Sequence, residues 1–191
     1  IASSSASFTR TVSGSWSIRA ANEATDTLNG MEYVRFTDRT LALRPTEGSI
    51  DGNGTSDILL RNASTGQVQL WTQSGATTSS TAVIGGSDTS FAAIGQGDFN
   101  GDGRFDVLFR NAGGTLAQWQ LDGPTITGTR AYASDPTWAI VGIGDFNGDF
   151  RDDILYRSAD GVLAQWQMDG LNVASVAAFA VSDNSWGVAA V

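Results

Sequence analysis

The chain repeats itself. With Asp98 set on Asp145, DFNGDGRFDVLFRNAGGTLAQWQLDG aligns without a gap on DFNGDFRDDILYRSADGVLAQWQMDG, at a spacing of 47 residues. An earlier copy, SIDGNGTSDILLRNASTGQVQLWTQSG from Ser49, carries one extra residue before its tryptophan. Each copy runs on to an aromatic, Phe91, Trp138 or Trp186, followed by small and branched apolar residues. A period of this size means a fold assembled from one supersecondary unit used several times.

The residues inside a unit say which kind. In the middle copy, short strands are expected at about 106–110, 115–121, 126–133 and 138–143, separated by turn-forming residues at Asn111–Gly114, Asp122–Pro124 and Asp135–Pro136. No stretch has a 3.6-residue apolar period between caps, so helices are not expected. Glycine is abundant at 23 residues and proline scarce at 3, which suits strands joined by tight turns. The expected fold is therefore all-β, with four-stranded antiparallel, blade-like repeats of a β-propeller type. The units span about 47–96, 97–143 and 144–191. Three of them make an incomplete ring, because propellers close with about four to eight. Residues 1–46 form a small β head outside the repeat, with strands near 7–13, 15–20, 31–37 and 40–44 and turns at ATDTLNG and TDRT. SWSI at 15–18 faintly echoes TWAI at 137–140, which leaves a degenerate blade edge as one reading of that stretch.

Each unit opens on an acidic nonapeptide. In DFNGDGRFD, carboxylates stand at positions 1, 5 and 9 (Asp98, Asp102, Asp106) and an amide oxygen at position 3 (Asn100). Position 7, Arg104, can offer its backbone carbonyl with its side chain pointing out, and Gly103 permits a sharp bend. Calcium takes six to eight oxygens in loose geometry, and alternate residues of a tight loop can supply them. The pattern is not an EF-hand, because position 12 is Phe109, Tyr156 or Leu60 rather than a bidentate Glu. The loop at 145 repeats the donors as Asp145, Asn147, Asp149, Arg151 and Asp153, but Phe150 replaces the glycine, where a positive φ would be strained. The loop at 49 keeps only Asp51, Asn53 and Asp57 and is the weakest candidate. The alternative is a plain turn, for which Asp, Asn and Gly are also suited.

Absences narrow the chemistry. The chain has no cysteine, histidine or lysine; its 11 basic residues are all arginine. That removes Ser-His-Asp and Cys-His catalysis, Schiff-base lysines and the usual zinc, copper or haem ligands. Carboxylate pairs remain, but Asp152 and Asp153 are adjacent and would face opposite ways on a strand, and Glu23, Glu32 and Glu47 are isolated. No enzyme activity is expected. A net charge of −9 disfavours nucleic acid and anionic membranes, and no apolar run is long enough to span a bilayer. The chain begins at Ile1 rather than Met, so a removed N-terminal signal is invisible either way.

These residues resemble a known group. GDFNGDGRFDVLFRN and GDFNGDFRDDILYRS, with LAQWQLDG and LAQWQMDG, are similar to the FG-GAP or VCBS repeats of secreted bacterial proteins, related to the calcium-bearing blades of integrin α-chain propellers. The resemblance covers about 49–191 and implies calcium at Asp98, Asn100, Asp102, Arg104 and Asp106, and at Asp145, Asn147, Asp149, Arg151 and Asp153. The loop from Ser49 matches in part. ATDTLNGMEYVRFTDRTLAL in the head resembles the segment that accompanies repeats-in-toxin domains of type I secretion substrates, which implies an extracellular bacterial protein that folds on external calcium.

The expected function is a non-catalytic, calcium-braced repeat module for adhesion or display on a secreted or cell-surface protein, with a cell-surface glycan or protein as partner. A carbohydrate-binding module using the recurring Trp71, Trp119 and Trp166 is the alternative, and an accessory domain of a secreted hydrolase stands behind it. The recurring Arg61, Arg110 and Arg157 are expected to make salt bridges or stacks between blades. Open sheet edges would be closed by further blades in a longer chain, by association of chains, or by the head.

Overall fold

A computed structural model describes residues 47–191, apart from Ser87, Ser182 and Asn184, together with five short strands before them. Sixteen strands and no helix are found among the described residues, so none contains a helix long and apolar enough to cross a membrane.

The head holds β1 (Ala6–Arg10), β2 (Trp16–Ala20), β3 (Thr25–Leu28), β4 (Tyr33–Arg35) and β5 (Thr40–Ala42). β1, β2 and β3 form one antiparallel sheet and β4 and β5 a hairpin. Two expectations change here. ATDTLNG is not simply a turn, because Thr25–Leu28, rich in strand-forming threonine, pairs with β2. Trp16–Ile18 is no blade edge either, since β2 is paired on both sides within the head sheet.

The repeats form three antiparallel sheets. The first is β6 (Ile58–Arg61), β7 (Gln67–Ser74) and β8 (Thr77–Gly86). The second has β9 (Phe91–Gly97), β10 (Asp106–Asn111), β11 (Leu116–Asp122) and β12 (Thr125–Tyr132). The third has β13 (Ala139–Gly144), β14 (Asp153–Arg157), β15 (Val162–Asp169) and β16 (Asn172–Val181). In each four-stranded sheet the order follows the chain. The strands of the middle unit lie within a residue or two of those expected from its sequence.

The sheets are offset from the sequence period by one strand. β13, which closes the middle sequence unit, pairs with β14 across the third acidic loop rather than with β12. The second and third loops therefore lie inside a blade, between its first and second strands, whereas loop 49–57 leads into β6, the first described strand of its sheet. The cause is local: Asp106 opposes Gly97 and Asp153 opposes Gly144, so these two nonapeptides are the connections of β-hairpins.

Alternation along the strands builds two cores. Val68 and Leu70 of the first blade meet Val107, Phe109, Trp119 and Leu121 of the second. Leu108 and Leu116, on the opposite face of the second blade, meet Ile154, Tyr156 and Met168 of the third. Period-two patterning thus gives the middle blade two apolar faces, as a stacked blade requires. Where first strands approach, glycine makes room: a Cβ at Gly95 would strike Ile143 Cδ1 of the neighbouring blade. Gly95→Val is expected to destabilise the protein by about 2 kcal/mol through overpacking, measured by urea denaturation.

Candidate metal centre

The last aspartate of each nonapeptide has a structural task that its sequence position does not announce. The β10–β11 ladder ends at Val107 opposite Trp119, and the next amide facing β10 is that of Leu121. Asp106 Oδ1 accepts it at 2.9 Å. Asp153 Oδ1 accepts Met168 N at 2.9 Å, beyond the Ile154–Trp166 pair, and Asp57 Oδ1 accepts Gln73 N at 2.9 Å, beyond Ile58–Trp71. In all three blades the carboxylate extends the ladder where the backbone swings away into the loop. This role needs an acceptor at the start of the strand, and a short acid supplies it.

The second carboxylate oxygens distinguish the three loops. Asp57 Oδ2 accepts Ile50 N at 2.8 Å and Asp51 N at 3.2 Å. Asp153 Oδ2 accepts Phe146 N at 3.3 Å. Asp106 is fully buried and its Oδ2 has no hydrogen-bond partner. Burial lifts the Asp106 carboxyl to about 8; the charges of Asp102 and Asp98 add to the rise, against the amides of Leu121 and Phe99. Asp153 is lifted to about 6, again by burial first, with Asp149 and Asp145 adding and the Met168 and Phe146 amides opposing.

The other donors fold onto their own loop. In loop 98–106, Asp98 Oδ1 accepts Asp102 N at 2.9 Å and its Oδ2 accepts Gly103 N at 2.8 Å, while Asp102 Oδ1 accepts Arg104 N at 2.8 Å. Asn100 Oδ1 accepts Asp102 N at 3.0 Å, and Asn100 Nδ2 donates to Asp102 Oδ2 at 3.0 Å. Loop 145–153 repeats the set: Asp145 accepts Gly148 N at 2.7 Å and Phe150 N at 2.9 Å, and Asn147 Nδ2 donates to Asp149 Oδ2 at 3.1 Å. Loop 49–57 is tied differently, with Asn53 Nδ2 donating to Gln73 O at 2.8 Å and Thr55 Oγ1 to the same carbonyl at 2.6 Å. Among the described residues no three acids converge as a formed metal cluster. Amides take the oxygens of Asp98 and Asp145 that a cation would otherwise meet.

Phe150 keeps the backbone of its glycine counterpart. Its φ is 68°, beside 87° for Gly103, and it is the only non-glycine residue with positive φ among those described. The third loop absorbs the strain instead of changing its bend. Adding a side chain at the equivalent glycine, Gly103→Ala, is expected to cost about 1–2 kcal/mol in urea denaturation.

The Arg104 and Arg151 side chains point out of their own loops, each toward the turn after the third strand of its blade. Arg104 Nε lies 3.1 Å from Asp122 Oδ1 in an ion pair that lacks hydrogen-bond geometry, and Arg151 Nη1 lies 3.5 Å from Asp169 Oδ1. Each arginine also packs over the glycine of the preceding loop: a Cβ at Gly52 would lie 3.4 Å from Arg104 Cγ, and one at Gly101 3.2 Å from Arg151 Cγ. Backbone bonds follow the same register. Phe105 N and Asp152 N donate to Ser49 O and Asp98 O, and Gly123 N and Gly170 N to Ile50 O and Phe99 O. The loops are thus the seams between blades.

Arg61, Arg110 and Arg157 donate to backbone carbonyls. Arg110 reaches Asp135 O at 2.8 Å and Trp138 O at 2.8 Å; Arg61 reaches Asp88 O at 2.9 Å and Arg157 Asp183 O at 3.2 Å. Those carbonyls belong to a second recurrent motif, SDTSF, SDPTW and SDNSW, in which Asp88, Asp135 and Asp183 each accept the amide two residues on. The amide and hydroxyl bonds hold these acids below the usual carboxylate range. The motif was visible in the sequence at the same period. Trp119 is buried against Phe109, with ring centroids 4.9 Å apart, and Trp166 packs on Tyr156 at 5.1 Å. Trp119 is thus blade core, while Trp71 and Trp166 are half-buried.

Comparison with known families agrees with this geometry. The FG-GAP-like repeat profile matches residues 50–109 and again 98–156. No curated protein matches the chain.

Proposed function

The chain belongs to the FG-GAP-like repeat family, a class of repeat that usually occurs in extracellular or surface proteins, and from that premise we propose that it is a non-catalytic module whose second and third acidic loops hold calcium. The observation that carries this reading is Asp106 Oδ2, a buried carboxylate oxygen that makes no well-formed hydrogen bond, with only the Phe99 amide opposing the charges of Asp98 and Asp102 beside it. Burying such an oxygen without compensation is costly, and a divalent cation is the natural counter-charge for it. Asp98, Asn100, Asp102 and Asp106, with the Arg104 carbonyl, would hold the ion in one loop. Asp145, Asn147, Asp149 and Asp153, with the Arg151 carbonyl, would hold it in the other. The ion supplies electrostatic bracing of the blade seams rather than chemistry.

Asp51, Asn53 and Asp57 are proposed as a hydrogen-bonded turn, since this loop opens on Ser49 and has two carboxylates where the others have three at positions 1, 5 and 9. On this reading the module serves adhesion or display on a secreted bacterial protein. The acids recur in every blade, whereas catalytic groups occur once. Equilibrium dialysis against labelled calcium should find about two ions per chain, falling by one in Asp102→Ala. Binding unchanged by that substitution would overturn the assignment.

A further inference from the structure

The two seams within the chain show which faces mate, and the same two kinds of face stand partly open on the first and third blades. The second blade covers the first, and the third the second, by setting the face of Val107, Phe109 and Trp119, or of Ile154, Tyr156 and Trp166, against its predecessor. Their counterparts in the first blade are Ile58, Leu60 and Trp71. Ile58 is 45% and Leu60 41% exposed, whereas Val107, Phe109 and Ile154 are fully buried.

At the other end, the third blade presents Phe146 and Phe179, the counterparts of Phe99 and Tyr132. They are 37% and 57% exposed, against 0% and 7%. The seam glycines agree at the loop end of the face; at its first strand, Val191 of the same chain already lies 2.6 Å from a Cβ at Gly142, the place that Ile143 takes at Gly95. No atom lies within 4 Å of a Cβ at Gly148, although its counterparts Gly52 and Gly101 are each covered by an arginine. Nor does any lie within 4 Å at Gly75, whereas Gly170 meets Gln120 Nε2 at 3.0 Å and Gly123 meets Asp51 Cβ at 3.8 Å.

We propose that the first blade of a second copy of this chain seats on the outer face of the third blade, continuing the internal seam head to tail. The argument is continuity with an interface already made twice in the molecule, by faces that correspond residue by residue. The two faces differ, so the contact is heterologous and each joined pair still offers one free face of each kind. The join is weaker than the internal seams, because position 7 of the incoming loop is Thr55 rather than an arginine, and the ion pair to the following turn is lost.

Analytical ultracentrifugation of the full chain at constant free calcium, from roughly 10 µM to 1 mM, tests this. The weight-average mass should rise with concentration beyond the dimer. Leu60→Asp and Phe179→Asp, each blocking one face, should stay monomeric alone, and their equimolar mixture should form a dimer and nothing larger. Circular dichroism checks that each variant is folded, with Ile58→Asp or Phe146→Ser replacing one that is not. A wild-type protein that stays monomeric, or a mixture of folded variants that does not dimerise, overturns the proposal.

Discussion

Without calcium, Asp106→Asn is expected to melt above the wild-type protein at pH 7; in saturating calcium it is expected to melt below it. The substitution keeps an oxygen for the Leu121 amide, so the ladder extension survives. It removes a carboxyl that has to take up a proton to be buried at pH 7, a cost the wild type bears while no cation is bound and the Asn variant does not. With calcium bound the same group is a charged ligand, and its loss weakens the site. Asp106→Ala separates the two roles, because it removes both the charge and the acceptor. It should lie about 2 kcal/mol below Asp106→Asn with or without calcium, the cost of leaving a buried amide unpaired. Equal stabilities of the Ala and Asn variants would deny the ladder role, and the absence of a crossover between Asn and wild type would deny the metal role.

The second large effect is on pH. The folded protein holds the Asp106 proton up to about pH 8, while an unfolded aspartate releases it near 3.8. Between these values the folded state binds more protons, so in chelator stability falls as pH rises. The contribution is full below the unfolded value and gone above the folded one. Asp153, lifted to about 6, acts in the same direction over the lower part of that window. Relative to Asp106→Asn, which does not titrate, wild type should lose up to about 1.4 kcal/mol per pH unit across the window and level off above it. Calcium competes with those protons, so its stabilising effect should grow as pH rises. Urea denaturation across this range, with chelator and with calcium, measures both slopes. A wild type that tracks the Asn variant in chelator would show that Asp106 does not titrate as its burial requires.

Much of the fold was legible in the sequence because the blade is built from short-range rules used repeatedly. Alternation in LAQWQL and the turn residues after Asn111 and Asp122 placed the strands of the middle unit within a residue or two. The pairing of β13 with β14 was not legible, because period and strand length do not reveal whether a loop lies between blades or inside one. Hairpin pairing of Gly97 with Asp106 decides that. The head was harder still: Thr25–Leu28 carries polar turn formers, yet pairing with β2 makes it a strand.

The acidic loops show the same limit at the level of single side chains. Spacing picked out Asp106 and Asp153, but their bonds to Leu121 and Met168 depend on where the β10–β11 and β14–β15 ladders end. The strained Phe150 was readable, because only one backbone conformation fits that position of the bend. The packing of Arg104 over Gly52 was not, since it joins loops 52 residues apart in sequence.

The most direct measurement is a thermal melt of chelator-stripped protein titrated with calcium, and in parallel with magnesium. Occupied loops predict a rise of roughly 10 °C as calcium reaches a thousandfold excess over its dissociation constant, with little response to magnesium. A melting temperature that calcium leaves unchanged would contradict the account, and DFNGDGRFD would then be a turn held by its own amides.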